Sequence, residues 1–180
     1  MVADPAIEPK LVEFVANSFE AAHRFLHMAT DGLPDKDLYY LPSPQTNSIA
    51  WLAWHLSRWK DRVTADLVAE PQVWVNGGWA ARFGIAEART GLGDSLDNVA
   101  GFRPAGDLLF GYVEASQEAT LRRVRSLLPG HLTAPFQYMP GRDPVPGWRA
   151  LVITLQDTTQ HTGQIAYLRG LITGKGWMAV

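Results

Sequence analysis

The sequence contains no cysteine. This excludes a disulfide framework, a zinc ribbon and a cysteine nucleophile, and any thiol chemistry must use a thiol brought by a ligand. Charge of one sign is also lacking: 16 basic residues stand against 18 acidic ones, for a net charge of -2. Such a balance offers no basic field to hold a phosphate backbone, so no nucleic-acid partner is expected. The tightest basic cluster, Arg122, Arg123 and Arg125, reads as a solvated helix face. There is no long apolar run. The longest, residues 49–54, is far below the ~18 residues that suggest a membrane span. Near the start, Asp4, Pro5, Glu8 and Pro9 occupy the stretch where a secretory signal needs an apolar segment. A cytoplasmic protein with no membrane partner is expected. Also missing are a G-x-S-x-G nucleophile elbow, a phosphate-binding glycine loop and a G-x-G-x-x-G after a strand. Asn76-Gly77-Gly78 reads as a turn.

What is present is a chain of 180 residues, 47% of them hydrophobic, enough for a single domain over 1–180 with a substantial core. Seven tryptophans are unusual at this length. They are either core filling or the wall of an aromatic pocket. Four segments carry a helical period: residues 8–30, 48–68, 105–128 and 147–173. The first has a stripe of Leu11, Val15, Ser18, Ala22, Phe25, Leu26 and Ala29. The second, with Asn47 or Ser48 as N-cap, has Leu52, His55, Leu56, Trp59, Val63 and Leu67. The third has Leu109, Tyr112, Val113, Ala119, Val124 and Leu127. The fourth has Ala150, Ile153, Asp157, His161, Gln164, Ile165, Leu168, Leu171 and Ile172. Within it, residues 151–155 alone would suit a strand, but the period runs on to Ile172 and decides for helix. The fold expected is all-α, a four-helix bundle. The connection 69–103 is too long to be structureless and should hold short helices, one near 79–83 and another starting at Asp94. Its Trp74, Trp79 and Phe83 should pack on the second helix near Trp51 and Trp54. The Pro/Gly-rich stretch 129–146 suits a crossover that lets neighbouring helices run parallel.

Asp157 and His161 are four apart on the fourth helix, so their side chains share one face. A carboxylate turned into a bundle is costly unless its charge is compensated. With His55 from the second helix they make a set of two histidines and one carboxylate. This set suits Zn²⁺ with an open coordination position, or Fe(II) and Ni(II) with several. The competing interpretation is an Asp–His ion pair beside an unrelated buried histidine. His23 and His27 form a rival pair. On the helical wheel His23 falls at the edge of the first stripe and His27 beyond it, so His27 is taken as exposed and His23 as a pocket-wall residue. His131 is taken as solvated.

Residues 47–56, NSIAWLAWHL, and residues 161–171, HTGQIAYLRGL, resemble the second- and fourth-helix segments of the DinB-like superfamily. The stretch WAARFG at 79–84, followed by Gly93-Asp94-Ser95, resembles members with a long connection between helices two and three. The resemblance spans nearly the whole chain. It implies a bundle of up-down-down-up topology with a divalent metal at one end. Members usually carry three histidine ligands, one on helix two and two in an H-x-x-x-H on helix four. His55 and His161 match, and Asp157 stands in place of the first histidine of that pair. A carboxylate there is similar to the mycothiol-dependent maleylpyruvate isomerase and mycothiol S-transferase branch.

Three functions follow as expectations. The first is a metal-dependent transferase, with Zn²⁺ as the first choice of metal and Ni or Fe as others. It activates a low-molecular-weight thiol such as mycothiol for attack on a small electrophile, with Trp51, Trp79, Arg82, Tyr112 and His23 as pocket residues. The second is metal-dependent hydrolysis, for which Asp61 is a base only if helix two is rotated. The third is a non-enzymatic, stress-related homodimer that binds metal or ligand.

Overall fold

The computed structural model describes residues 9–174; Trp177 and the first residues of the chain lie outside them. Four long helices dominate: α1 (Pro9–Thr30), α3 (Ile49–Leu67), α7 (Gly106–Arg125) and α9 (Gly147–Thr173). Short helices fill the connections: α2 (Asp35–Leu38), α4 (Val73–Asn76), α5 (Trp79–Phe83), α6 (Leu96–Ala100) and α8 (Pro129–Thr133). The spans agree closely with the periodic segments because local signals mark their ends. The Ser48 hydroxyl accepts from the Trp51 N–H at 3.2 Å to start α3, and Ser95 accepts from Asn98 N–H at 3.2 Å to start α6. Residues 151–155 are helical, as their period requires.

The bundle runs up-down-down-up. Glu13 and Glu20 of α1 meet Arg125 of α7, while His23 meets Glu114, so α1 and α7 are antiparallel. The Asp31 carbonyl at the end of α1 accepts from Arg169 near the end of α9, as parallel neighbours require. Helix α3 lies against both α7 and α9, diagonally across from α1. Along α3 and α7, Lys60 meets Gln117 and Asp61 meets Arg123, so these two are parallel. A parallel neighbour forces the chain back along the full helix length, about 30 Å for twenty residues. Residues 68–105 make that return. The stretch 129–146 does not serve the parallel crossover assigned to it, since it leads from α7 to the antiparallel, diagonal α9. It instead forms α8 and a two-residue antiparallel pair, Pro135 with Pro146 and Phe136 with Val145. Gly147 opens α9 so tightly under this loop that a Cβ would stand 2.0 Å from the His131 carbonyl oxygen.

Two stripes are rotated from the sequence reading. In α1 the buried line is Ala16, Phe19, Ala22, Leu26 and Ala29, leaving Leu11 and Phe25 exposed. In α9, Thr154, Thr158 and Thr162 point inward, and each hydroxyl donates to the carbonyl four residues back at 2.8 Å. Threonine can sit in this core because its hydroxyl is satisfied within its own helix.

Helix α3 is buried on nearly every side, Ser57, Arg58, Lys60, Asp61 and Thr64 included. Its outer face is covered by residues 68–105. Trp54 therefore does not need a second subunit to cover it: its ring lies 6.1 Å from Trp74 and 4.8 Å from Phe102. Trp74 packs on α3 as expected, whereas Phe83 packs on Trp74 at 5.3 Å and, like Trp79, sits against Tyr112 of α7. The Asp61 carboxylate, fully buried, holds this cover down. It accepts from the backbone N–H groups of Val73 and Trp74 at 3.0 and 2.9 Å, from Tyr112 Oη at 3.2 Å and from Arg123 at 2.8 Å. Arg123 is accordingly 1% exposed. Only its neighbours Arg122 and Arg125 form the solvated face expected of all three.

Candidate metal centre

His55 sits on the face of α3 that meets α9, and Asp157 and His161 lie one turn apart on α9. Ligand atoms from the three lie within 4.8 Å of one another. The His55 ring is 5.1 Å from that of His161. Trp51 stacks on one face of His55 at 4.7 Å, and Trp59 lies 6.1 Å away. Asp157 and His161 flank the threonine line of α9, so their side chains border both α3 and solvent.

The proton pattern is informative. His55 Nδ1–H donates to the Thr90 carbonyl at 2.5 Å. His161 Nδ1–H donates to Gln164 Oε1 at 2.7 Å. In both rings this leaves Nε2 with its lone pair, the orientation that outer partners impose on metal-binding histidines. His161 Nε2 then faces Asp157 Oδ1 at 3.3 Å, two lone pairs with a cation wanted between them. A proton there makes an Asp–His ion pair, yet Asp157 Oδ2 stays buried without a partner. A divalent cation answers that second oxygen as well as both imidazoles, so the donor set fits a metal. Burial lowers the pKa of His55, which keeps the ring neutral. Burial also pulls His161 down, but the protonated ring can donate to both Asp157 and Gln164, and the net shift is upward, in keeping with a site that wants positive charge between Nε2 and Oδ1.

The loop before α6 straps this site, and sequence reasoning missed its role. Gly91, at φ +91°, lies against His55: a Cβ would stand 2.6 Å from His55 Nδ1 and 2.9 Å from Trp51. Asp94 accepts from Trp51 Nε1 at 2.9 Å and from Arg89 at 2.7 Å. Burial would raise the Asp94 pKa, but these hydrogen bonds outweigh it and hold the carboxyl below its ordinary value. Arg58 donates to the carbonyls of Glu87 and Arg89 at 3.2 Å each, tying the strap to α3. Tyr138, bonded to Trp59 Nε1, was also missed. Only the tight spacing of Gly91 and Gly93 hinted at the strap.

The residues assigned to one pocket are dispersed. Trp51 alone touches His55. Tyr112 is buried on Asp61, with Trp79 against it and the Arg82 guanidinium 3.9 Å over the Trp79 ring. Asp61, engaged with Arg123, is not placed to serve as a hydrolytic base. His23 lies between α1 and α7, paired with His27 and Glu114. His27, expected to be exposed, is half-buried because Phe19 rather than Ser18 faces the core, which turns the wheel toward α7. His131 accepts from the Leu128 N–H at 3.1 Å.

A helical bundle with histidine–carboxylate groups on facing helices defines a class of candidate metal proteins. The comparison with known families makes this specific. The DinB superfamily model matches residues 18–165, and the chain belongs to that superfamily. Its fold is similar to the crystal structure of a conserved protein from Enterococcus faecalis, with a TM-score of 0.79 and 22% identity, covering 91% of this chain and 97% of that one. No curated protein matches the chain. Among the described residues, no helix is long and apolar enough to cross a membrane.

Proposed function

We propose that His55, Asp157 and His161 hold a divalent metal, Zn²⁺ foremost, and that the protein uses it to transfer a low-molecular-weight thiol to a small electrophile. The observation that carries this reading is the pair of imidazoles whose Nδ1–H groups are engaged by Thr90 and Gln164, leaving both Nε2 lone pairs beside a carboxylate with an orphaned oxygen. A divalent metal held there supplies one chemistry: it lowers the pKa of a bound thiol so that the thiolate is the prevailing form. The thiol comes from outside because the chain has no cysteine. Mycothiol is the favoured candidate, since the carboxylate in place of histidine is the pattern of that branch. A reducing cytoplasm, which keeps such thiols free, is the matching compartment.

The chain's own residues would position the reactants. Thr90 and Gln164 fix the two rings, and the Trp51 face limits water around His55. A groove of about 360 Å³ begins at Gln164 and Leu52 and runs between Tyr167, Leu168 and Leu171 on one side and Gln45, Thr46 and Asn47 on the other, which suits an electrophile with both apolar and polar parts.

The test is metal analysis of untagged protein, followed by a panel of low-molecular-weight thiols with a model electrophile. Loaded protein should consume one thiol faster than the uncatalysed rate, and metal-stripped protein and His161→Gln should not. Equal turnover with and without metal would overturn the reading.

A further inference from the structure

The cluster between α1 and α7 stands apart from the α3–α9 site, on the opposite side of the bundle. His23 Nε2 lies 3.1 Å from His27 Nε2 and 3.1 Å from Glu114 Oε2, and His27 Nε2 lies 2.5 Å from Glu114 Oε1. Three polar groups are thus in mutual contact. Hydrogen bonding does not account for all three contacts. Each Nε2 carries either one proton or one lone pair. If both rings donate to Glu114, two N–H groups confront each other across the His23–His27 contact. If one ring donates to the other, the acceptor's only lone pair is used and its contact with the carboxylate has no proton. At least one close contact stays unpaired in every arrangement. A cation at the centre takes both lone pairs and the carboxylate together. Two of the three separations, 3.1 Å each, are near the roughly 3.3 Å between tetrahedral donors that stand about 2.0–2.1 Å from Zn²⁺, and the His27–Glu114 contact would have to open to match.

Two further observations agree. The His23 ring is turned so that Nε2 meets the other two groups even though this leaves Nδ1 buried without a partner. And the adjoining cleft, about 510 Å³, opens at His27 and is lined by Asp31, Asp35 and Asp107, an acidic approach for a cation. Lys60 opposes it from α3, where its Nζ donates to Gln117 Oε1 at 2.7 Å, so the site should be the weaker of the two.

We propose that His23, His27 and Glu114 form a second divalent-metal site, for a borderline ion such as Zn²⁺, that clasps α1 to α7. The two helices come from distant parts of the chain, and ions bound to the folded state alone add to its stability.

The test is a calorimetric titration of Zn²⁺ alone into metal-free, untagged protein. The expected result is two equivalents, the weaker one lost in His27→Gln and in Glu114→Gln, with far-UV circular dichroism unchanged. His161→Gln should keep the weaker equivalent and still gain in Tm with Zn²⁺, and His161→Gln/His27→Gln should gain nothing. If folded His27→Gln and Glu114→Gln both bind as many ions as the parent, the clasp is overturned. Loss in His27→Gln but not in Glu114→Gln means that the surface histidines act alone, which also overturns the three-residue site. A single equivalent lost only in His161→Gln overturns the clasp and spares the α3–α9 site; one lost only in His27→Gln does the opposite.

Discussion

Asp157 shows how one side chain sets the chemistry expected of a bundle. Its Oδ1 meets His161 Nε2 and its Oδ2 meets nothing. Asp157→Ala should cut metal affinity at the α3–α9 site at least tenfold, whereas Asp157→His should retain binding; titration of each metal-free variant with Zn²⁺ checks both. Gly91 acts one step further out. Gly91→Ala forces a Cβ into His55 Nδ1 at a backbone angle that costs a non-glycine residue about 1–3 kcal/mol. The Thr90 carbonyl should shift with it, lowering metal affinity roughly 10–100-fold, as loss of an outer partner does. Urea unfolding and the same titration would separate the two effects. Asp94 adds a dependence on pH. Its pKa is depressed in the folded chain, so it stabilises the fold above the ordinary carboxylate value, and that contribution is lost as pH falls through the folded value. The stability difference between the parent and Asp94→Asn should therefore be constant above about pH 5 and shrink below pH 4.

At the scale of elements, α3 carries polar residues that a solvent-facing helix would display, yet residues 68–105 bury them. The polar pairs replace the lost water: Asp61 caps the start of α4 through Val73 and Trp74 and neutralises Arg123, while Arg58 holds the strap. Such a network is weak evidence for net stability, but breaking it from one side leaves a buried charge uncompensated. Asp61→Asn should cost roughly 3–5 kcal/mol. The cover should loosen before the bundle does, so limited proteolysis should begin to cut between Trp74 and Phe83 in this variant and not in the parent.

For the molecule as a whole, the two metal sites would each join a pair of helices distant in the chain, α3 to α9 and α1 to α7. A chelator should then lower Tm. At a free metal concentration one hundred times Kd the α3–α9 site alone contributes about 2.7 kcal/mol, a Tm difference of about 5–10 °C for a chain of this size. The difference should grow with metal concentration in a thermal melt, and a Tm indifferent to both metal and chelator would contradict the binding at either site.

The sequence by itself determined the four long helices and their ends, because hydrophobic period, serine caps and Pro/Gly stops are local signals. The i, i+4 spacing of Asp157 and His161, and of His23 and His27, was equally legible, since it follows from helical geometry alone. What tertiary structure decided was everything that depends on a neighbour distant in the chain. The partial turn of α1, which keeps Ala22, Leu26 and Ala29 inside but buries Phe19 in place of Ser18, brought His23 and His27 toward Glu114. The burial of Arg123, Lys60 and Asp61 came from a cover built of residues 68–105. The strap that orients His55 through a backbone carbonyl carries no side-chain signature except the glycine it needs. A helical wheel assigns one inward face, but a central helix with neighbours all around has no outer face, and its polar side chains find their partners only once the chain has closed over them.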